Sequence, residues 1–457
     1  MSILSPRRWR RSALASCLGA AIAAGAIADA QPAADPAAAG LHDYLAVCRA
    51  DRGALWGQSL CGPLVVFDSV TRQGLATEQP PGAGFRPVGE LWRGSVPARL
   101  GSANTAVVWA GERWAMALLP VPADRFDRVR LLLHEAFHRI QPALGLDGRD
   151  PANPHLDERD GRYWLRLELR ALATALRQHG PARAAATRDA VVFRRMRYAR
   201  YPEAAVLEDA LERKEGLAEY TAVHLALEFL HLPVARAADD LASFEDRPTF
   251  VRSLGYATGP ALGLLLDDAD PAWRRDVAQR GFAAQLARAI GFVAPADLPR
   301  AAAEAQSRYD AASLARAEDD RAARHASERA VLRARLIDGP VLTLRQTGLS
   351  TSFDPNRLIA MGDDGTVYPA GRFTAEWGTL ELERGGALIA PDLHSLRVAA
   401  PGPAGSQAGT VHGDGWILEL AAGWHLTPGP RHGDVEVART PVRPVPQRGS
   451  RPPDRLP

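Results

Sequence analysis

Leu131-Leu132-Leu133-His134-Glu135-Ala136-Phe137-His138-Arg139-Ile140 is the stretch on which the reading of this chain turns. It is strongly apolar, and Pro122-Ala123-Asp124 upstream supplies a helix start, so a helix is expected to run to about Ile140. Residues four apart on a helix share a face, so His134 and His138 can meet one ion. Glu135 lies about 100° further round, close enough to reach a water on that ion without binding the ion itself. This is the H-E-x-x-H pattern, in which two histidines hold zinc and the glutamate serves as general base. Two imidazoles and a carboxylate in so apolar a helix are costly without a partner. A salt-bridged helix face is the competing reading.

A catalytic zinc takes three protein ligands and keeps a fourth position open. The third is sought in Glu212-Arg213-Lys214-Glu215-Gly216-Leu217-Ala218-Glu219-Tyr220. Glu208, Glu212, Glu215 and Glu219 fall on one helical stripe, at steps of 4, 3 and 4. Like charges so placed repel unless something cationic faces them. A metal can satisfy one or two; Glu208 and Glu212 read as a solvated acidic face. Rival ligands exist. Glu168 sits between Arg166 and Arg170 and reads as an ion-paired residue. His155 and Asp157, in Asn153-Pro154-His155-Leu156-Asp157, read as a surface turn, with contact to substrate or to the metal's water as the other option. His224 and Glu228 read as a polar pair on the same helix.

These paired motifs resemble the gluzincin metallopeptidases, the clan of thermolysin and the zinc aminopeptidases. In that clan a second helix carries a glutamate ligand, often in an E-G-x-A-x-Y context. Glu215-Gly216-Leu217-Ala218-Glu219-Tyr220 matches it, so the resemblance implies Glu215 as third ligand of one Zn2+. It also implies Glu219 as the acid that braces a ligand histidine, a partner that fixes the imidazole tautomer. Tyr256-Ala257-Thr258-Gly259-Pro260-Ala261-Leu262 is similar to the Y-x-x-G-x-x-L stretch of the aminopeptidase branch, which gives Tyr256 the role of oxyanion donor. The likeness spans about 106–267. The gap from His138 to Glu215 is longer than in the best-known members and requires inserted helices. The amine-recognition motif G-x-M-E-N is missing; residues 111–116 stand in its place but supply no matching glutamate.

The activity so implied is hydrolysis of a peptide or protein substrate, with Glu135 as general base. The two strands before the active helix would offer an edge to an extended peptide. Two other readings compete. One is a non-catalytic exported protein stapled by a structural metal. The other is a cell-envelope binding protein acting through its C-terminal part, whose Trp377, Trp416 and Trp424 could stack on sugar or peptide.

A chain of 457 residues is expected to hold about two or three domains. Residues 31–40 are Pro/Ala-rich and read as a flexible leader. Residues 41–122 are mixed, with strands at 64–67, 106–110 and 114–119; a turn at Gly111-Glu112-Arg113 joins the last two into a hairpin. Residues 123–337 are helical, with helices at 161–178, 186–198, 203–230, 259–267 and 273–290, and a long connecting one at 298–336. Together 41–337 form the expected zincin-like unit. From Gly339 the period switches, and about seven short strands within 339–440 suggest a β-sandwich-like domain. Residues 441–457 read as a disordered Pro/Arg-rich tail. The fold class is therefore α+β.

Residues 1–30 read as a secretory signal: arginines at 7, 8, 10 and 11, an apolar run at 12–28, and the small-x-small site Ala28-Asp29-Ala30. Leu14-Ala15-Ser16-Cys17 offers a lesser, lipoprotein-type alternative. The mature chain is thus expected to be periplasmic or secreted, and its remaining cysteines, Cys48 and Cys61, to be disulfide-bonded. Without residues 1–30 the formal charge falls from +2 to −1, and Lys214 is the only lysine. No basic surface argues for nucleic acid or an anionic membrane. No later segment approaches the ~20 apolar residues of a membrane span. Nothing in the pattern sets the oligomeric state.

Overall fold

The computed structural model describes residues 35–440, apart from 83, 150, 355–356, 403–405 and 408, and the side chains of 406 and 407. The signal-like segment, Cys17 and the Pro/Arg-rich tail lie outside these residues. Within them the architecture is mixed α+β, with an N-terminal strand region, a helical region and a C-terminal β-rich region. The first element corrects the expected leader: α1 (Pro36–Asp51) already includes residues 36–40. Asp35 caps it, its carboxylate accepting from the Ala37 amide at 3.0 Å, and Pro36 suits the first turn. Its alanines are strong helix formers, and Ala37, Leu41 and Tyr44 are buried in the core.

Six strands follow: β1 (Leu64–Phe67), β2 (Gln73–Ala76), β3 (Arg86–Val88), β4 (Leu91–Ser95), β5 (Thr105–Trp109) and β6 (Glu112–Leu118). They form one sheet in the order β3-β4-β2-β1-β6-β5, so among the described residues β5 is paired along one edge only. The β5–β6 hairpin turns on Ala110-Gly111, both with positive φ (50° and 89°), as a two-residue hairpin loop requires. That is one residue earlier than expected, because Glu112 already pairs with Trp109. β2, β3 and β4 have short sequences broken by Gly, Pro and Arg, which carry little strand signature.

The Cys48–Cys61 disulfide ties the end of α1 to the start of this sheet and points to an oxidising compartment. Closing so short a loop restricts the unfolded chain by about 3 kcal/mol. A C48S/C61S variant should lose about that much in denaturant unfolding; an unchanged midpoint would show that the bond contributes nothing.

The helical region comprises α2 (Arg125–Ile140), α3 (Arg159–Arg177), α4 (Gly180–Arg200), α5 (Ala204–Leu211), α6 (Leu217–Phe229), α7 (Ala235–Glu245), α8 (Leu254–Ala269), α9 (Phe282–Ala289), α10 (Leu298–Gln306) and α11 (Ala311–Arg333). Asp124 caps α2, accepting from the Asp127 amide at 3.0 Å. The helix lies across β6 and beside α6. One apolar core joins α1, β1, α2, α3, α6 and α8. The single helix expected over 203–230 is interrupted by a π-turn, Glu212–Gly216. The one expected over 273–290 is a 3-10 turn, Trp273–Asp276, followed by α9. The one expected over 298–336 breaks at 307–310, where buried Tyr309 donates to Asp189 of α4 at 2.8 Å. Beyond the break, α11 is solvated apart from Leu314 and Glu318.

The β-rich region is larger than the seven expected strands. One seven-stranded and one six-stranded sheet bury a common core, with Leu342, Leu344, Leu396 and Val398 from the first facing Phe373, Leu380 and Leu418 from the second. Trp377 and Trp416 lie in that core, 0% and 2% exposed. Strands such as Gly371–Ala375 and Trp424–Pro428 escape sequence reading because glycine, proline or polar residues interrupt their alternation. Among the described residues no helix is long and apolar enough to cross a membrane.

Candidate metal centre

α2 and the π-turn bring His134, His138 and Glu215 together. The two Nε2 atoms are 3.1 Å apart, and Glu215 Oε2 lies 3.4 Å from each. A tetrahedral shell with bonds of about 2.0–2.1 Å has its ligand atoms about 3.3 Å apart. The triangle therefore has the dimensions of three corners of such a shell. His138 and Glu215 keep 14% and 11% of their side-chain exposure, so the triangle is not sealed from solvent.

The hydrogen bonds behind the triangle fix both imidazole tautomers. His134 Nδ1 is 2.6 Å from Glu219 Oε2, and an ionised carboxylate only accepts, so Nδ1 carries the proton. His138 Nδ1 is 2.8 Å from Gln141 Oε1. The amide of Gln141 is oriented by its other end, where Nε2 donates to the Arg213 and Lys214 carbonyls at 3.1 and 3.0 Å. Its oxygen must then face the histidine. In the neutral imidazoles so held, both Nε2 lone pairs face the Glu215 carboxylate. Three electron-rich atoms at this spacing repel unless a cation lies among them.

The charges around the triangle agree. Burial pushes the Glu215 carboxyl up, but the two histidines outweigh it and hold it far below the usual range. Burial also raises Glu219, yet Arg130 and His134 pull it down to about 2. For His134 burial lowers the pKa, while Glu215 and Glu219 raise it to about 10; the centre attracts positive charge. Burial pushes Glu135 up, against the pull of His134 and His138. Its Oε2 is buried without a hydrogen-bond partner among the described residues. Tyr256 stacks on His134, with centroids 5.4 Å apart and planes within 10°. Its hydroxyl donates to Glu215 Oε2 at 2.7 Å, so it orients that carboxylate in this structure.

Glycines permit this approach. α8 crosses the π-turn with backbone against backbone: a Cβ on Gly259 would fall 2.4 Å from Gly216 Cα, and one on Gly263 2.2 Å from the Tyr220 ring. That contact seats Tyr256 on Glu215 and places the Thr258 hydroxyl 2.6 Å from Glu212. The spacing Gly255, Gly259, Gly263 is a sequence signal for such close packing.

The structure does not bear out the acidic stripe. The π-turn separates its two pairs, and Glu208 and Glu212 are 0% and 1% exposed. Arg197 bonds Glu208 at 2.6 and 2.7 Å; Arg194 bonds Glu212 at 2.7 and 3.0 Å. Glu168 lies between the two arginines, while its sequence neighbours Arg166 and Arg170 go to Glu245. Helical periodicity on one element cannot show that another, here α4, supplies buried guanidiniums. His155 is buried as well, not part of a surface turn, with Nε2 2.8 Å from Glu208; Asp157 pairs with Arg321. His224 pairs with Asp267 at 2.9 Å rather than with Glu228.

Sequence reasoning overlooked Gln141 and Arg130. Both were within reach of it, since each sits about one helical turn from a motif histidine. Compared with protein-family models, curated proteins and solved structures, the chain gives no match. The site thus stands on its own geometry: His134, His138 and Glu215 could hold a metal ion.

Proposed function

We propose that this chain is an exported, gluzincin-like zinc metallopeptidase that hydrolyses peptide bonds, with 41–337 as its zincin-like unit and 339–440 as a sandwich-like domain. The observation that carries the reading is the convergence of two Nε2 lone pairs and one carboxylate oxygen within 3.4 Å. Two nitrogens and one oxygen with an open fourth position form a donor set suited to catalytic zinc. When bound, the ion polarises a scissile carbonyl and makes a water acidic.

The remaining work falls to the chain's own residues. Glu135, whose buried Oε2 has no hydrogen-bond partner among the described residues, would accept a proton from the attacking water and pass it to the leaving amine. Glu219 and Gln141 keep each histidine proton on Nδ1. Tyr256, released from Glu215 as substrate enters, donates to the developing oxyanion.

Peptide is favoured as substrate because β5 is an edge strand that packs beside α2, and an edge strand can take up an extended peptide. A cavity of about 140 Å³ beside Tyr256, walled by Leu241, Phe244 and Pro260, offers room for a side chain. Binding through the β-rich region loses support, since Trp377 and Trp416 are interior and Trp424 is half-buried against the same core.

Digestion of a broad peptide mixture by the mature chain tests the proposal. Cleavage should stop with a chelator and return with zinc. A fully metallated chain that cleaves nothing would leave the metal as a staple and sink the hydrolase reading.

A further inference from the structure

We infer that Gln141 is a positioning residue that fastens the two halves of the metal centre to each other. The inference rests on reading His134, His138 and Glu215 as a metal site. Gln141 follows the last residue of α2 and is 2% exposed. One end of its amide accepts from His138 Nδ1 at 2.8 Å. The other donates to the carbonyls of Arg213 and Lys214, both inside the π-turn that carries Glu215.

A π-turn interrupts the regular i→i−4 ladder, and the half-buried Arg213 and Lys214 carbonyls at that turn take a partner from outside the helix. Gln141 supplies it, and the same side chain locks the His138 ring with Nε2 toward Glu215. The link joins residues 72 and 73 positions apart in sequence. An amide does both tasks at once, its oxygen accepting from an imidazole and its two N–H groups donating to carbonyls. His134 is tied across the same boundary by Glu219 of α6. Each ligand histidine is therefore clamped to the segment that carries Glu215.

Zinc affinity of the full mature chain, measured by competition with a chromophoric chelator, provides the test, with the absorption spectrum of bound Co2+ as a second readout. Gln141→Glu keeps the size and can still accept from His138, but cannot donate to the carbonyls. Gln141→Ala removes both contacts. Each should weaken zinc binding about 10–100-fold, the usual cost of losing such a partner, and Gln141→Glu should shift the Co2+ spectrum. Gln285→Ala removes another buried amide, which donates to the Arg280 carbonyl at 3.0 Å; it should leave affinity and spectrum unchanged even if it lowers stability. Wild-type affinity in both Gln141 variants, or equal weakening in Gln285→Ala, overturns the inference. A wild type that binds no zinc overturns the metal reading itself, and this inference with it.

Discussion

Glu135→Gln should abolish turnover on every peptide the wild type cleaves, by about 10²–10⁴-fold in kcat, the range for loss of a general acid–base group. The same variant should retain its metal. The physical reason is the separation of tasks along one helical turn. His134 and His138 point their Nε2 atoms at Glu215, whereas Glu135 belongs to neither side of that triangle and keeps a buried oxygen unbonded. Glutamine preserves the volume and removes the ability to accept a proton. Single-turnover assays on metal-loaded protein check this. Full activity in Glu135→Gln would remove the proposed base, and loss of metal would make Glu135 a ligand.

The second large effect is on stability. Glu208→Gln should destabilise the fold by about 3–5 kcal/mol at pH 7, the cost of breaking a buried ion pair by removing one partner. Burial pushes the Glu208 carboxyl up, but Arg197, bonded to it twice, and His155 outweigh burial and hold it far below the usual range. Because the folded pKa is depressed, the stabilisation is present above the unfolded-chain value of about 4.3 and fades as pH falls below it. The gap between wild type and variant should therefore be largest near neutrality and narrow in acid. Denaturant unfolding at pH 7 and pH 3 measures both. Equal midpoints at pH 7 would show that the Arg194–Arg197 cluster does not support the wall behind the π-turn.

These two residues mark what could and could not be read in the sequence. Glu135 was legible because its spacing from His134 and His138 lies within one helix, where periodicity alone places side chains. The position of α2, its start at Asp124, the β5–β6 hairpin and the disulfide were legible for the same reason: each depends on local signals. Glu208 was not. Its partners are Arg197 of α4 and His155, and charge count along its own helix suggested solvent where the structure has these buried groups. The π-turn at Glu212–Gly216 was equally hidden, since a one-residue widening leaves no mark on an apolar pattern. Yet it is what turns Glu215 and Glu219 toward α2 while Glu208 and Glu212 face away. Small residues did carry a trace of this: Gly216 and Gly259 meet because neither has a Cβ. In the β-rich region the strands with clear alternation were legible, and those broken by glycine or proline were not.

The central claim is that one divalent ion sits between α2 and the π-turn. Diffraction from zinc-loaded crystals, collected at the zinc absorption edge, locates such an ion directly. The account predicts one anomalous peak per chain, about 2.0–2.2 Å from His134 Nε2, His138 Nε2 and a Glu215 oxygen. A chain with no peak there, or with its zinc held elsewhere while these three side chains stay unligated, would contradict it.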